Sequence, residues 1–513
     1  MTAVERSRAR IRGRIRPGVV PAACLAVGVV AAAASWGVSW ATRAGARPGR
    51  AVFAPCVVWA VREVGRCGTV PVLEDRDGGN RDRRPGRPIP LRVVVLRARG
   101  PGPTGEPVVL LAGGPGMGAA SDGVAYAADV LAGLRARHDI ILADQRGTGR
   151  SNALTCDLTG NALQPHVAPS FPVEGVRRCR EVVARHADLT QYTTARSADD
   201  LADVLDALGV RRASVFGISY GGRLALAFLR RHGERVRTAV VQGAPPPERV
   251  VPLAAAAAGA RALAARAGEC LADSACTAEA PDPAGDVRAV LDRLAARPVR
   301  VTRWNWRRLR REEVVVTRRA FAEDSWAMLY DAGKARALFG PVHRAVLGDW
   351  TPWLDAAVSR GRWREYRRSR GLTLSVLCTE DAPRIARADT ARLAAASPLG
   401  LPIAAELVAA CAEWPKGRLA PEDTLPVRSD VPVLFLSGAL DPVAPPEWAD
   451  SARAFLPASW HLVAPGAGHG AMNDCTRTVI ARFVEQGGAV TLRTPCVASW
   501  STGALLANPD ARR

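Results

Sequence analysis

Lysine is almost missing from this chain of 513 residues. It occurs only at Lys334 and Lys416, so nearly all of the 70 cationic side chains are arginine. With Ala, Val and Gly also abundant, this points to the codon bias of a GC-rich genome. Selection for a polyanion would draw on both cations. The net charge of +21 is spread along the chain, whereas a nucleic-acid footprint is a patch or stripe, so no nucleic-acid partner is expected. The densest basic-aromatic run, Arg303-Trp304-Asn305-Trp306-Arg307-Arg308, continues with Arg310 and Arg311, after which Glu312 and Glu313 follow at once, and it reads as a solvated strand. A stacking, phosphate-binding surface is the rival reading. A second long apolar run is missing too, which excludes a polytopic membrane protein. No Cys-x-x-Cys pair and no Cys/His cluster with ligand spacing occurs, so neither a metal nor another cofactor is implied. No internal repeat is present. What remains, 48% hydrophobic and 23% charged residues, suits a globular chain that buries a sizeable core. At roughly 100–200 residues per domain there is room for several domains, or for one large domain with an insertion.

Six arginines between Arg6 and Arg16 precede a stretch, Pro17 to Ala41, that carries no charge, and Ala44-Gly45-Ala46 offers a signal-peptidase site. Residues 1–46 therefore read as a cleaved signal peptide or an uncleaved anchor. The remainder is expected to be secreted or held outside the cytoplasm, touching a membrane only through this segment. The chain has eleven cysteines. Without Cys24 an even number is left, as an oxidising compartment favours. Neighbours in sequence suggest the pairs Cys56–Cys67, Cys156–Cys179, Cys270–Cys276, Cys378–Cys411 and Cys475–Cys496, among about 945 possible connectivities.

Val/Ile/Leu-rich runs of strand length alternate with helical patterns. The runs are Leu91–Arg97, Pro107–Leu111, Asp139–Ala143, Ala213–Phe216, Thr238–Val241, Pro432–Leu436 and Trp460–Val463. One helical stripe lies over Ser197–Leu208, with Ser197 as its expected cap. The alternation predicts a doubly wound α/β sheet. It stops near Pro245 and resumes at Val431. Hence residues 47–244 and 429–513 read as two parts of one core, and 245–428 as a large, mainly helical cap insertion whose tryptophans pack in its interior.

Gly217-Ile218-Ser219-Tyr220-Gly221 lies between a strand run and a helical pattern. Small residues two positions either side of Ser219 fit a nucleophile on a strained strand-to-helix turn. A serine hydroxyl needs a base. His469, in the glycine-rich loop after the last strand, can reach it. His138, His186, His232, His343 and His461 sit in helix ends or strands and read as surface histidines. Asp441, just past the strand Pro432–Leu436, is the candidate to orient His469. One oxyanion donor would be the Tyr220 N–H. The second would come from the loop Ala112-Gly113-Gly114-Pro115-Gly116, which lacks the Lys-Ser/Thr ending of a phosphate cradle.

These motifs, with Asp144-Gln145-Arg146-Gly147-Thr148-Gly149-Arg150-Ser151 and Cys67-Gly68-Thr69-Val70-Pro71-Val72, resemble the secreted actinobacterial tripeptidyl aminopeptidases, within the prolyl-aminopeptidase-like group of α/β-hydrolases. The resemblance covers roughly 55–500. It implies an α/β-hydrolase fold whose C-terminal part is the family's characteristic region. It also implies serine exopeptidase action on peptides with a free N-terminus, and Gly114 with Tyr220 as oxyanion donors. Ala112 stands where the prolyl branch has His, so strict proline specificity is not implied. The family further suggests an acid two residues after Cys378, which is Glu380. With Glu413 it would hold the substrate ammonium if Cys378 and Cys411 are bonded, with Glu323 and Asp324 as lesser candidates. The alternatives are an esterase or amidase on the same machinery, or a non-catalytic surface or polyanion-binding protein with a hydrolase core.

Overall fold

The computed structural model describes residues 51–77, 87–100, 105–167, 170–366, 369–396, 399–488 and 496. The export-signal expectation for residues 1–46 lies outside them. A nine-stranded sheet forms the core, in the order β1-β2-β3-β5-β4-β6-β7-β10-β11. Its strands are β1 (Val52–Val58), β2 (Glu63–Leu73), β3 (Pro88–Leu96), β4 (Val108–Leu111), β5 (Ile140–Ala143), β6 (Ala213–Ile218), β7 (Val236–Gln242), β10 (Val433–Gly438) and β11 (Ser459–Ala464). From β5 to β11 every pairing is parallel, and β1, β2 and β3 add an antiparallel edge. β4, β5 and β10 are buried at every residue. That is why they appear as continuous apolar runs: helices cover both faces of a parallel sheet.

β7 and β10 pair directly, although residues 243–432 lie between them in sequence. That intervening chain forms helices, among them Val251–Leu271, Pro283–Ala296, Arg318–Met328 and Ile403–Cys411, and one hairpin, β8 (Val299–Asn305) with β9 (Arg310–Val316). It buries its own apolar cluster around Phe321, Phe339 and Trp353. No described helix is long and apolar enough to cross a membrane.

Two buried arginines tie loops and insertion to the sheet. Arg146 grips Asp200 with Nε and Nη2, at 2.7 and 2.6 Å, and donates to the carbonyls of Leu73, Glu74 and Gln191. Arg223 grips Asp381 of the insertion at 2.8 and 3.2 Å and donates to the carbonyls of Pro245 and Arg249. Removing one partner from such a pair costs about 3–5 kcal/mol, because the other charge stays buried alone.

Some local expectations need correction. The helix over Thr194–Ala207 is capped by Thr193, whose hydroxyl accepts the Arg196 N–H; Ser197 lies inside it and donates to the Thr193 carbonyl. Trp326, Trp350, Trp353 and Trp414 are buried, but Trp304 and Trp306 are exposed. His138 is buried against the Glu106 carbonyl, and the His461 side chain is also buried. The disulfides join Cys56–Cys67, Cys156–Cys179, Cys270–Cys276, Cys378–Cys411 and Cys475–Cys496, with Cα–Cα separations of 5.0–5.7 Å. Thiol titration of the full chain in denaturant is expected to find one reactive group, Cys24, and none once the N-terminal segment is removed. Two or more thiols in the shortened chain contradict this pairing.

Candidate active site

Ser219 stands between β6 and the helix Tyr220–Arg231 with φ 55°, a conformation L-residues avoid. The turn closes only around glycine. A Cβ on Gly217 would lie 2.3 Å from the Gly221 carbonyl oxygen, and one on Gly221 would lie 2.0 Å from the Leu111 carbonyl oxygen. The Ser219 N–H donates to the Gln242 carbonyl at 2.8 Å, locking the turn to the end of β7.

On the other side β4 leads into the glycine loop. A Cβ on Gly113 would sit 3.1 Å from Ser219 Cβ, so the loop passes directly over the serine. Gly114 and Gly116 have φ of 119° and 114°. Three hydrogen bonds hold the loop: Gln145 Nε2 to the Ala112 carbonyl at 3.0 Å, Thr373 Oγ1 to the Pro115 carbonyl at 2.6 Å, and the Ser369 N–H to the Gly116 carbonyl at 2.8 Å. The Asp144–Ser151 motif thus acts through positioning. Asp144 accepts the N–H groups of Ala120, Ser121 and Arg150 and the Ser121 hydroxyl, and Gln145 beside it fixes the loop.

Asp441 and His469 follow β10 and β11 at the same carboxyl edge. Asp441 is buried. Its Oδ1 accepts the N–H groups of Val443 and Ala444 at 2.8 and 3.0 Å, and its Oδ2 lies 2.8 Å from His469 Nδ1. An ionised carboxylate only accepts, so Nδ1 carries the hydrogen and Nε2 is left as a base. The His469 N–H donates to the Tyr330 carbonyl at 2.8 Å, and the two rings meet edge to face at 5.3 Å. Gly243, which follows the residue that accepts the Ser219 N–H, touches this pair. A Cβ there would lie 3.3 Å from Asp441 Oδ2 and 3.4 Å from His469 Nδ1.

A second Ser–His–Asp set exists. His461 Nε2 is 2.9 Å from Ser437 Oγ, and Nδ1 is 2.8 Å from Asp450 Oδ1. Ser437 is a buried residue within β10 and not on a turn. It lacks the strained strand-to-helix turn that carries the half-buried Ser219, and this set reads as a strut between β10, β11 and the helix Pro446–Arg453.

The acids expected at the substrate ammonium are arranged differently. Glu380 is buried. Its Oε1 accepts the Thr194 N–H at 2.7 Å, its Oε2 accepts the Thr194 hydroxyl at 2.8 Å, and Arg223 lies 3.8 Å away. Burial pushes its pKa up to about 7. Glu413 instead pairs with Arg177 at 2.8 Å, which holds its carboxyl low. The Cys378–Cys411 bond is present, yet the two carboxylates turn to different partners and do not form one ammonium pocket. Asp324 is ion-paired with Arg360.

A different acidic pair is present. Arg319 Nε meets Glu323 Oε1 at 3.2 Å and also pairs with Glu406, from the helix Ile403–Cys411. One guanidinium serves two buried carboxyl groups, which also lie against each other. Burial, then the neighbouring Glu323 carboxylate, raises the Glu406 pKa well above the usual range. Sequence reasoning missed Glu406. The available signal was an acid alone in the apolar run Ile403-Ala404-Ala405-Glu406-Leu407-Val408.

The chain belongs to the alpha/beta hydrolase fold family, whose model matches residues 106–474. Among curated relatives, a proline iminopeptidase from Xylella fastidiosa is 32% identical over 146 residues, covering 28% of this chain and 33% of the relative. A 2-hydroxymuconate semialdehyde hydrolase from Pseudomonas putida is 47% identical over 53 residues, 10% of this chain and 19% of the relative. The chain thus spans about a third or less of these relatives' length. The solved proline iminopeptidase of Mycobacterium smegmatis aligns with 82% of this chain and 98% of its own, at 18% identity and a TM-score of 0.39.

Glu380 supplies a test of this geometry. Its native pKa of about 7 exceeds its ordinary 4.5, so over that window the folded chain keeps a proton that the unfolded chain releases. Its contribution to stability is therefore present at low pH and lost as pH rises through about 4.5–7. Glu380→Gln mimics the neutral form. The wild-type Tm is expected to fall relative to the variant between about pH 5 and 7.5, and a pH-independent difference contradicts the assignment.

Proposed function

We propose that this chain is an exported serine hydrolase that releases short peptides or residues from free peptide N-termini. In this reading Ser219 Oγ attacks the scissile carbonyl while its proton passes to His469 Nε2. Asp441 stabilises the resulting imidazolium, and the N–H groups of Gly114 and Tyr220 receive the oxyanion. Collapse breaks the C–N bond, and the proton on His469 goes to the departing amine. Water, deprotonated by the same base, then hydrolyses the acyl-enzyme. Residues 245–428 serve as a cap over this site. The five disulfides support export, since such bonds persist in oxidising compartments.

One observation carries the aminopeptidase reading: the buried acids Glu323 and Glu406 share one guanidinium, and Glu406, kept protonated by burial beside Glu323, would ionise once a substrate ammonium supplies a second cation. Glu323 lies on the helix Arg318–Met328, seven positions before Tyr330, whose ring meets His469.

Acetylating the N-terminus of a good peptide substrate is expected to lower kcat/KM at least about tenfold, the scale of one charge-assisted contact. Glu406→Gln is expected to cost a similar factor for the free peptide and almost nothing for a simple ester. Equal cleavage of free and acetylated peptides overturns the aminopeptidase reading in favour of an esterase or amidase.

A further inference from the structure

The β8/β9 hairpin presents an aromatic and cationic tip that the proposed hydrolysis does not use. Trp306 is 75% exposed, Leu309 at the turn 71%, and Trp304 43%. The two indoles meet edge to face at 5.8 Å, forming one apolar patch. Opposite Trp304 in the register stands Arg311, and Arg307 lies in the turn. Both belong to the exposed surface and form no ion pair among the described residues, whereas Arg308 and Arg310 pair with Glu312, and Arg303 with Asp355.

The tip is held rigidly. Buried Asn305 donates to the Asn161 carbonyl at 2.7 Å and to Glu312 at 3.0 Å, and accepts the Arg307 N–H at 3.0 Å. Glu312 accepts the Leu163 N–H at 2.9 Å, and the Gln164 side chain brackets the backbone of Val315. The fold therefore fixes two tryptophans and a leucine in water. Scattered single apolar residues on a surface are ordinary, but a clustered patch marks a contact.

We propose that this tip docks the protein onto an anionic lipid surface, with Trp304, Trp306 and Leu309 entering the headgroup layer and Arg307 and Arg311 against lipid phosphates. Tryptophan and arginine together at the tip of a rigid element suit the membrane interface, where indoles favour headgroup depth. Each arginine near an anionic surface adds about fivefold in affinity. The overall charge of +21 acts in the same direction. Single-stranded nucleic acid is disfavoured on two counts. Indoles set 72° apart do not make parallel stacking faces, and the five disulfides suit an oxidising compartment.

The test is binding of the full chain to vesicles of phosphatidylcholine with and without 30 mol% phosphatidylglycerol, in parallel with a single-stranded DNA 20-mer. The uncharged stretch at 17–41 contributes a background common to all variants. Trp304→Ala with Trp306→Ala is expected to weaken vesicle binding at least tenfold. Arg307→Glu with Arg311→Glu is expected to abolish the preference for phosphatidylglycerol, and salt to weaken it in the wild type. Hydrolytic activity in solution, unchanged in both variants, reports that the fold is intact. Vesicle binding that neither pair of substitutions alters overturns the proposal. Loss of DNA binding without loss of vesicle binding replaces it with a polyanion-binding surface.

Discussion

The structure turns on a steric constraint, the tight passage from β6 into the helix Tyr220–Arg231. Backbone approaches the turn from both sides, so Gly217 and Gly221 have no space for a side chain, and Ser219 is left at positive φ at the end of β6. Such strain persists only where the surroundings over-determine it. Here they do: β4 lies on one side and β7 on the other, and their carbonyls at Leu111 and Gln242 define the turn. The same strand neighbours bring Gly113 over the serine and Gly243 against the Asp441–His469 pair. Parallel pairing therefore positions the chemistry, because β4, β6, β7, β10 and β11 all deliver their loops to one edge.

The insertion joins this edge through buried polar contacts as well as packing. Arg223, one turn into the helix that follows Ser219, holds Asp381. Thr373 and Ser369 hold the glycine loop, and the carbonyl of Tyr330 holds His469. Each contact couples a group beside the candidate triad to a residue of the insertion. Substitutions in the insertion can thus alter catalysis without touching substrate, a distinction that separate kcat and KM measurements resolve.

Seven of the nine sheet strands, the elbow and the pairing of Asp441 with His469 were legible in the sequence for a physical reason, whereas β1 and β2, at the half-exposed antiparallel edge, were not. Buried parallel strands such as β4, β5 and β10 appear as near-continuous apolar runs, and Ser219, Asp441 and His469 each lie within a few residues of the carboxyl end of a sheet strand. Less legible were features set by packing between distant helices. Glu323 and Glu406 meet only because the helices Arg318–Met328 and Ile403–Cys411 converge on Arg319. Glu380 and Glu413, close to a shared disulfide, turn instead to Thr194 and Arg177. Ser197 resembles a cap, but the chain becomes helical earlier, at Thr193. The hairpin tip was visible as a basic-aromatic run, but only the register shows its tryptophans facing water.

The central claim is that Ser219 is the nucleophile and that His469, not His461, activates it. Labelling the folded protein with a fluorophosphonate and mapping the adduct by peptide mass spectrometry tests this directly. The account predicts one adduct per chain, on Ser219, which disappears in His469→Ala and survives in His461→Ala. An adduct on Ser437, or none on a folded chain, would contradict it.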